Sequence, residues 1–293
     1  MVSEERKFCF CTLAFGKNYR NLALLLAKDI EKYSPSTYFV ILSDRPQEFS
    51  KQSNVLAFKH IQNSVKLYHD KRFVLAKALS LFHSCIYIDA DMRIVAPVPQ
   101  DMKWLQAPGI VARSCDIMRK KYAKVFAGTA DGKLYKKFLV TDKAAQKLNL
   151  YLENQEVKFI YEYLFAVTKD SGKELEFLKH WERIAPYFEL NGVHDGEGNA
   201  IGLAAAKAGL QVRWSEMEGI SFFKDRTELI RIKNGQSNIQ DMAVYFEQQK
   251  MLEYPKQSIL QKVAFKISNN IKYLYNSLRL RIITLRNFVF YYQ

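Results

Sequence analysis

Short apolar runs alternate with helix-like segments over the first ninety residues. The runs "KFCFCTLAF" (7–15), "TYFVILSD" (37–44), "NVLAFKHI" (54–61) and "CIYIDAD" (85–91) are rich in β-branched and aromatic residues, as buried strands are. Between them, the segment from Tyr19 to Tyr33 and residues 70–83 space their apolar residues by three and four, which is typical of helices. This alternation predicts an α/β domain with a mixed, mostly parallel sheet flanked by helices.

The middle of the chain continues the same pattern less regularly. Residues 110–112, 157–169 and 210–214 are predicted strands. Ser171 and Glu174 have the spacing of a capping box, so a helix is expected to run to about Ala185, just before Pro186. We expect residues 1–255 to form one α/β domain and residues 256–293 to form a helical tail.

The tail combines an apolar stripe with positive charge. The protein carries 44 Lys and Arg against 30 Asp and Glu, a net charge of +14, and residues 262–293 contain six of these cations and no acid. Apolar residues from Leu260 to Val289 are spaced by threes and fours. Such a helix suits a membrane surface with anionic headgroups. The alternatives are a helix packed on the α/β domain and a dimeric coiled coil.

Composition also limits the location and the partners. The four cysteines include no Cys-x-x-Cys motif, which fits reduced core thiols in a cytoplasmic protein. We expect no signal peptide and no membrane-spanning segment, and at most peripheral binding to the inner membrane face. No nucleic-acid recognition motif is present, so no nucleic-acid partner is expected.

Acids follow two of the predicted strands. Asp89 and Asp91 end the apolar run "CIYI", and Asp44 ends "TYFVILS". In a strand Asp89 and Asp91 would point to one side, where their oxygens would suit Mg²⁺ or Mn²⁺ together with phosphate. Ligands of parallel sheets bind beyond the carboxyl ends of the strands. The pattern predicts a metal–diphosphate site, and the alternative is a pair of surface acids on an edge strand.

A second polar stretch, "HDGEGNAIG" (194–202), places His194, Asp195 and Glu197 among glycines before an alanine-rich helix. Glycine allows backbone to approach a ligand closely. The alternative is helix capping, for which Asp195 is well suited.

The segment "CIYIDADMRIVAPV" resembles the Asp-x-Asp segment of GT-A glycosyltransferases, especially family 8. "CTLAFGKNYRNLALLLAKDI" resembles their first strand, nucleotide-binding loop and first helix, "TYFVILSD" the second strand, and "KRFVLAKALSLFHSCIYIDAD" the helix that leads to the metal motif. The resemblance covers roughly residues 8–215. It implies a GT-A fold for residues 1–255.

The resemblance implies a nucleotide-diphospho-sugar donor, with a UDP-sugar expected, bound with Mn²⁺ or Mg²⁺. Asp91 would ligate the metal, and Asp89 would contact the ribose or take part in metal binding through water. Cations at the start of the helix that precedes the metal motif would meet the diphosphate. The remaining donor candidates are Ala14, Phe15 and Tyr19 for the base, Asp44 for the base or ribose, and Arg72, or alternatively Lys71 or Lys77, for the diphosphate.

For catalysis, the resemblance implies that Glu197 or Asp195 faces the sugar as nucleophile, as stabiliser of the cationic transition state or, in an inverting reaction, as base. Glu162 would bind the acceptor or donor sugar, or pair with a lysine. Family 8 enzymes usually carry a late His motif that supplies a third metal ligand, and that motif is absent here. His194 is a candidate for that ligand, for an acceptor contact or for an ordinary loop residue.

The implied acceptor is a glycan or glycolipid. Other classes of function compete with this interpretation: a non-catalytic basic protein that binds lipid or nucleic acid, and a metal-dependent phosphatase. Phosphatases of the haloacid dehalogenase type place their Asp-x-Asp pair on the first strand, whereas here several elements precede Asp89.

Overall fold

The computed structural model describes residues 8–253 and 258–293. The strands are β1 (Phe8–Ala14), β2 (Tyr38–Ser43), β3 (Val55–Lys59), β4 (Ser84–Ile88), β5 (Arg93–Ile94), β6 (Gly109–Ala112), β7 (Cys115–Ile117), β8 (Lys158–Ile160), β9 (Leu164–Thr168), β10 (Val212–Trp214) and β11 (Phe222–Phe223). The helices are α1 (Gly16–Tyr33), α2 (Lys71–Leu81), α3 (Lys103–Gln106), α4 (Met118–Lys121), α5 (Ala123–Phe126), α6 (Gly132–Lys147), α7 (Lys173–Leu190), α8 (Glu197–Ala208), α9 (Asp225–Lys233), α10 (Ile239–Glu253), α11 (Ile259–Thr284) and α12 (Phe288–Tyr292).

The main sheet of the described residues has seven strands in the order β10-β6-β9-β4-β1-β2-β3. Strand β9 runs antiparallel to its neighbours β4 and β6, and the other pairs are parallel. Because of this arrangement, the carboxyl ends of β1, β2, β4 and β6 share one edge of the sheet with the start of β9. The predicted mixed, mostly parallel α/β sheet flanked by helices is confirmed.

Hydrophobic cores cover both faces of this sheet. Successive residues of a strand point to opposite faces, so Cys9 and Cys11 belong to the core under α2, α7 and α8, while Phe8 and Phe10 belong to the core under α1. The first strands and helices therefore form where the apolar periodicity predicts them. All four cysteines are free thiols.

The predicted strand over residues 157–169 is wrong in one respect, because the structure divides it. β8 pairs with β7 in a small separate sheet, whereas β9 enters the main sheet between β4 and β6. Residues 161–163 connect the two. The main-chain N–H of Asp89 donates to the carbonyl oxygen of Tyr163 across 3.0 Å, which holds this connection against the end of β4.

The predicted end of the following helix is also wrong. α7 begins after Gly172 and continues through Pro186 to Leu190. Proline removes one main-chain hydrogen bond from a helix interior. The flanking residues Ala185 and Tyr187 are buried, and their packing keeps the chain helical beyond the proline. The Glu174 carboxylate accepts hydrogen bonds from the main-chain N–H groups of Asp170 and Gly172. The N-cap is Gly172 and no side chain of the described residues caps it, so the predicted capping role of Ser171 is wrong.

The predicted helical extension at the C-terminus is confirmed as α11 and α12. A capping box formed by Ser258 and Gln261 starts α11. The second half of α11 packs on α7, and Leu280 and Thr284 are buried there. No helix of the described residues is long and apolar enough to cross a bilayer. The predicted boundary at 255/256 and the N-terminal residues 1–7 lie outside the described residues.

Candidate functional site

A cleft of about 840 Å³ opens at the carboxyl ends of β1 and β4. Its walls combine charged side chains with aromatic rings. Asp89, Asp91 and Glu197 contribute carboxylates, and Lys71 and Lys224 contribute cations. The aromatic residues of the wall include Phe15, Tyr19, Tyr68, Tyr87, Tyr161, Tyr163 and Tyr273. The cleft therefore lies where ligands of parallel sheets bind.

The paired acids meet in a turn. β4 ends at Ile88, so the prediction that Asp89 and Asp91 belong to a strand, which would point them to one side, is wrong. The main-chain N–H of Met92 donates to the carbonyl oxygen of Asp89 across 3.0 Å and closes the turn. The Lys224 ammonium lies between the two carboxylates, 2.7 Å from Asp91 Oδ1 and 3.4 Å from Asp89 Oδ2.

Lys71, the first residue of α2, connects Asp89 to Glu197. Its Nζ lies 3.1 Å from Asp89 Oδ1 and 3.6 Å from Glu197 Oε1, and it donates to the carbonyl oxygen of Glu162 across 3.2 Å. The Tyr87 hydroxyl also donates to Asp89 Oδ1. Lys71 is therefore a fixed cation between two carboxylates, and these carboxylates raise its pKa although burial opposes the shift.

The pKa values of the two acids in the turn are shifted in opposite directions. Burial favours the neutral form of Asp89, but the cations Lys71 and Lys224 outweigh it and lower the pKa of Asp89. For Asp91, burial and the charge of Asp89 outweigh Lys224 and raise the pKa. The two lysines therefore stabilise the ionised form of Asp89 more than that of Asp91.

Glu197 is the first residue of α8 and is 2% exposed. Its Oε2 atom has no hydrogen-bond partner among the described residues. Burial raises the pKa of Glu197 to about 8, although the cation of Lys71 acts in the opposite direction. A buried carboxyl group with an unused oxygen thus faces the cleft beside Lys71.

The glycines around Glu197 serve packing between elements. A Cβ at Gly198 would overlap the carbonyl oxygen of Ile160, and a Cβ at Gly202 would overlap that of Lys158. The glycines of α8 therefore let this helix lie directly against β8. The interpretation that they make room for a ligand is wrong for these two positions.

Two of the three candidates for base binding line the cleft. Phe15 and Tyr19 line it, and the Phe15 ring meets the His60 ring edge-on at 5.7 Å between centroids. Burial, followed by the charge of Asp91, raises the pKa of Tyr19 to about 12, so its hydroxyl remains a hydrogen-bond donor at neutral pH. Ala14 is buried at the end of β1 and does not line the cleft.

Other donor candidates have contacts outside the cleft. Asp44 accepts two hydrogen bonds from the Arg20 guanidinium, at 2.8 and 2.9 Å. Arg72 donates to the carbonyl oxygen of His69 and to Asn63 Oδ1. Lys77 lies over the Phe58 ring. Of the three cations considered for the diphosphate, the structure brings Lys71 into the cleft.

The candidate residues of the glycine-rich stretch do not lie together in the structure. Asp195 forms ion pairs with Lys137 and Lys133 at 2.8 and 3.5 Å, away from the cleft lining. The His194 ring lies against Tyr273, with its Nε2 atom 3.3 Å from the tyrosine hydroxyl. Glu162 lines the cleft near Glu197. The structure thus groups Glu162 and Glu197 with the paired acids.

Sequence reasoning missed Lys224 and the contribution of α11. Lys224 follows β11, a strand of two residues that leaves almost no periodic pattern. The sequence signal that could have indicated Lys224 is its position directly after the aromatic pair Phe222–Phe223. Asn269, Lys272, Tyr273 and Asn276 of α11 also line the cleft.

The donor set fits a hard divalent cation that binds together with a diphosphate. No group of three or more His, Cys, Asp or Glu side chains in residues 8–253 and 258–293 could hold a metal by itself. Asp89 and Asp91 supply two carboxylates that face the same cleft. Mg²⁺ is commonly held by one or two carboxylates plus substrate phosphates, so two protein ligands suffice for that kind of site.

Similarity between this chain and known proteins is weak. No protein-family model matches the chain, and no curated protein matches it. Among solved structures, the chain is similar to one described as the apo structure of WbbM, a bifunctional glycosyltransferase, with a TM-score of 0.43 and 14% identity. The match covers 73% of this chain and 39% of that chain. The functional interpretation therefore rests on the geometry of the cleft.

Proposed function

We propose that this protein is a metal-dependent glycosyltransferase of GT-A architecture, with the family 8 enzymes as the group it resembles in sequence. It would transfer a sugar from a nucleoside-diphosphate donor, with a UDP-sugar as the expected donor, to a glycan or glycolipid. One observation carries this proposal: a single cleft holds the Asp89–Asp91 pair, two lysines and a buried glutamate.

The donor would lie across the cleft from Phe15 to Glu197. The base would stack between Phe15 and Tyr19, at the end of β1. The diphosphate would lie beside the Asp89–Asp91 turn, within reach of Lys71 and Lys224. The sugar would then point toward Glu197 and Glu162.

The lysines would stabilise the leaving group. Cleavage of the sugar–phosphate bond leaves negative charge on the nucleoside diphosphate, and fixed cations in a buried cleft stabilise such charge strongly. Lys71 is 7% exposed and Lys224 is 13% exposed in their side chains, so water screens them little. Mn²⁺ or Mg²⁺ held by Asp89 and Asp91 would add Lewis-acid stabilisation of the same charge.

Glu197 is the best-placed acid for the reacting sugar. Its Oε1 atom is oriented by Lys71, and its Oε2 atom is unpaired among the described residues. Because its pKa is raised to about 8, its ionised form grows as the pH rises toward that value. In that form, as nucleophile or stabiliser of positive charge at the anomeric carbon, it would serve a retaining reaction. As general base toward the acceptor hydroxyl, it would serve an inverting one.

A membrane surface is the proposed site of the acceptor. α11 leaves its apolar stripe exposed, and residues 262–293 carry six cations and no acid. Both features favour binding to an anionic bilayer, at the inner face of a cell membrane.

The metal proposal predicts competition between Lys224 and the divalent cation. In Lys224→Met, the two carboxylates lose the ammonium between them, so added Mn²⁺ should raise the melting temperature of the variant more than that of the wild type. Lys207→Met, at an exposed position of α8, is the matched control and should behave as the wild type. Equal Mn²⁺ effects in Lys224→Met and wild type would contradict metal binding at Asp89 and Asp91.

A panel of nucleotide sugars tests the activity. The protein is incubated with UDP-, GDP-, ADP- and TDP-linked sugars and Mn²⁺, and release of the nucleoside diphosphate is measured. We expect release from donors of one base, and loss of that release in Asp91→Asn. If no donor is cleaved, or if Asp91→Asn cleaves as fast as wild type, the proposal is wrong.

A further inference from the structure

Helix α11 has an apolar face that nothing in the described structure covers. The side chains of this outer face follow one another at intervals of three, four or seven residues, as one face of a helix does, and are each more than half exposed. They are Leu260, Ile267, Ile271, Leu274, Leu278 and Ile282. Soluble proteins rarely leave so continuous an apolar surface in water, and such surfaces mark interaction sites.

The opposite face of the same helix belongs to the cleft. Asn269, Lys272, Tyr273 and Asn276 line it, and the 3.6-residue repeat places them on the side of α11 away from the outer face. The Tyr273 hydroxyl lies 3.3 Å from His194 Nε2, and Asn276 is 6% exposed. One helix therefore presents an apolar surface outward and a polar wall inward.

Few contacts fix the first two thirds of this helix. Every residue from 258 to 275 is exposed, and burial begins at Asn276. From there, Arg279 donates to the carbonyl oxygen of Asn63, and Leu280 packs against the body of the protein. Segments with few buried contacts open and shift at low free-energy cost. A partner on the outer face can therefore set the position of the inner wall.

Charge identifies the partner as an anionic bilayer. Arg281 and Arg286 are exposed cations near the apolar stripe, and no acid occurs in residues 258–293. A second copy of α11 would bring cations against cations, so a symmetric coiled coil is disfavoured. A bilayer accommodates the apolar side chains between lipid tails while the cations reach anionic headgroups.

We propose that α11 couples bilayer docking to the donor site. A bilayer bound to the outer face holds the cleft-lining residues of α11 in place, and this completes the donor site. An acceptor carried in the same bilayer then meets the completed donor site. This inference rests on the proposed glycosyltransferase function. Because coupling between two binding sites is reciprocal, the bilayer should tighten nucleotide binding by the same factor by which nucleotide tightens bilayer binding.

The test measures the dissociation constant of UDP with Mn²⁺, with and without vesicles. Vesicles of phosphatidylglycerol and phosphatidylcholine should lower it at least about fivefold, and vesicles of phosphatidylcholine alone should leave it unchanged. UDP should tighten sedimentation of the protein with the anionic vesicles by the same factor.

Three variants separate the two faces. Leu278→Glu should abolish vesicle binding and the vesicle effect, and should keep the vesicle-free affinity for UDP. Tyr273→Ala should keep vesicle binding and reduce the vesicle effect. Leu175→Glu, at a similarly exposed leucine of α7, is the matched control and should behave as the wild type.

Three results would overturn the coupling while UDP binding stands. They are vesicle binding without any change in UDP affinity, no vesicle binding by the wild type, and a dimer that Leu278→Glu dissolves. Absence of UDP binding both with and without vesicles would instead contradict the proposed function itself.

Discussion

At the scale of single residues, the cleft is built from alternating acidic and basic side chains. Glu197, Lys71, Asp89, Lys224 and Asp91 follow one another with ion-pair distances from 2.7 to 3.6 Å. Lys224 lies between the carboxylates of Asp89 and Asp91, and Lys71 lies between Asp89 and the carboxyl group of Glu197. These neighbours keep both lysines protonated and fix their positions. Removal of one member should therefore disturb its neighbours while leaving the apolar core intact.

Glu197→Gln tests the acid that we assign to the reacting sugar. Gln keeps the shape of the side chain, so the protein should fold and bind UDP with Mn²⁺ as the wild type does. Turnover of the donor should fall by about 100-fold or more, because the ionisable group is lost. Steady-state rates and a binding titration on the same preparation give both numbers.

Glu176→Gln makes the same change at an exposed position of α7 and is the matched control. Asp195→Asn tests the alternative acid of the same loop, which the structure places against Lys137. Full turnover in Glu197→Gln, with loss in Asp195→Asn, would show that the assignment is wrong.

The raised pKa of Glu197 predicts a pH dependence of stability. Its pKa is about 8 in the folded protein and near 4.5 in the unfolded chain. Between these values the folded state binds a proton that the unfolded state has released. The contribution of Glu197 is therefore greatest below about pH 4.5 and is lost as the pH rises to about 8.

Urea unfolding of the metal- and nucleotide-free protein at several pH values measures this effect. The free energy of unfolding should fall with rising pH more steeply in the wild type than in Glu197→Gln. Parallel curves for the two proteins would contradict a buried, protonated Glu197.

Sequence reasoning found some of these residues and missed others for physical reasons. Asp89, Asp91 and Glu197 were predicted because acids stand out against apolar or glycine-rich surroundings. The choice among Lys71, Arg72 and Lys77 stayed open because successive residues of a helix point about 100° apart. A difference of one position therefore decides whether a side chain faces the cleft. Lys224 comes from a distant part of the chain, and only the tertiary fold brings it to Asp91.

At the scale of elements, the contact of α8 with β8 positions Glu197. The main chain of α8 lies against the carbonyl oxygens of Lys158 and Ile160, and only glycine fits there. Gly202→Ala should therefore lower the free energy of unfolding by about 3 kcal/mol through overpacking.

Gly132→Ala is the matched control for this change. Gly132 begins α6 and has open space where a Cβ would lie, so its variant should stay within about 0.5 kcal/mol of the wild type. Chemical denaturation of both variants gives the comparison. Equal stability of the two variants would contradict the close packing of α8 on β8.

Apolar periodicity predicts that a helix or strand exists better than it predicts where that helix or strand ends. The run 157–169 is apolar and aromatic throughout, so nothing local marks the point where the chain leaves one sheet for another. Likewise, Pro186 signals the end of a helix by its missing N–H, and the burial of its neighbours overrides that signal. In both cases tertiary packing decides.

At the scale of the whole molecule, the sheet brings distant segments to one edge. The strand–helix alternation is sufficient to predict β1, β2, β3 and β4 as a parallel set. It does not predict that β9 enters antiparallel between β4 and β6, because strand order depends on contacts between distant parts of the chain. The insertion places Glu162 and Tyr163 beside the Asp89–Asp91 turn.

The most direct test of the central claim is a thermal-shift measurement with UDP, with and without Mn²⁺, on wild type and Asp91→Asn. A ligand of the native state raises the melting temperature by mass action, by several degrees at about one hundred times its dissociation constant. We predict a shift for the wild type that depends on Mn²⁺ and is lost in Asp91→Asn. No shift in either protein, or equal shifts in both, would contradict a metal–diphosphate site in this cleft.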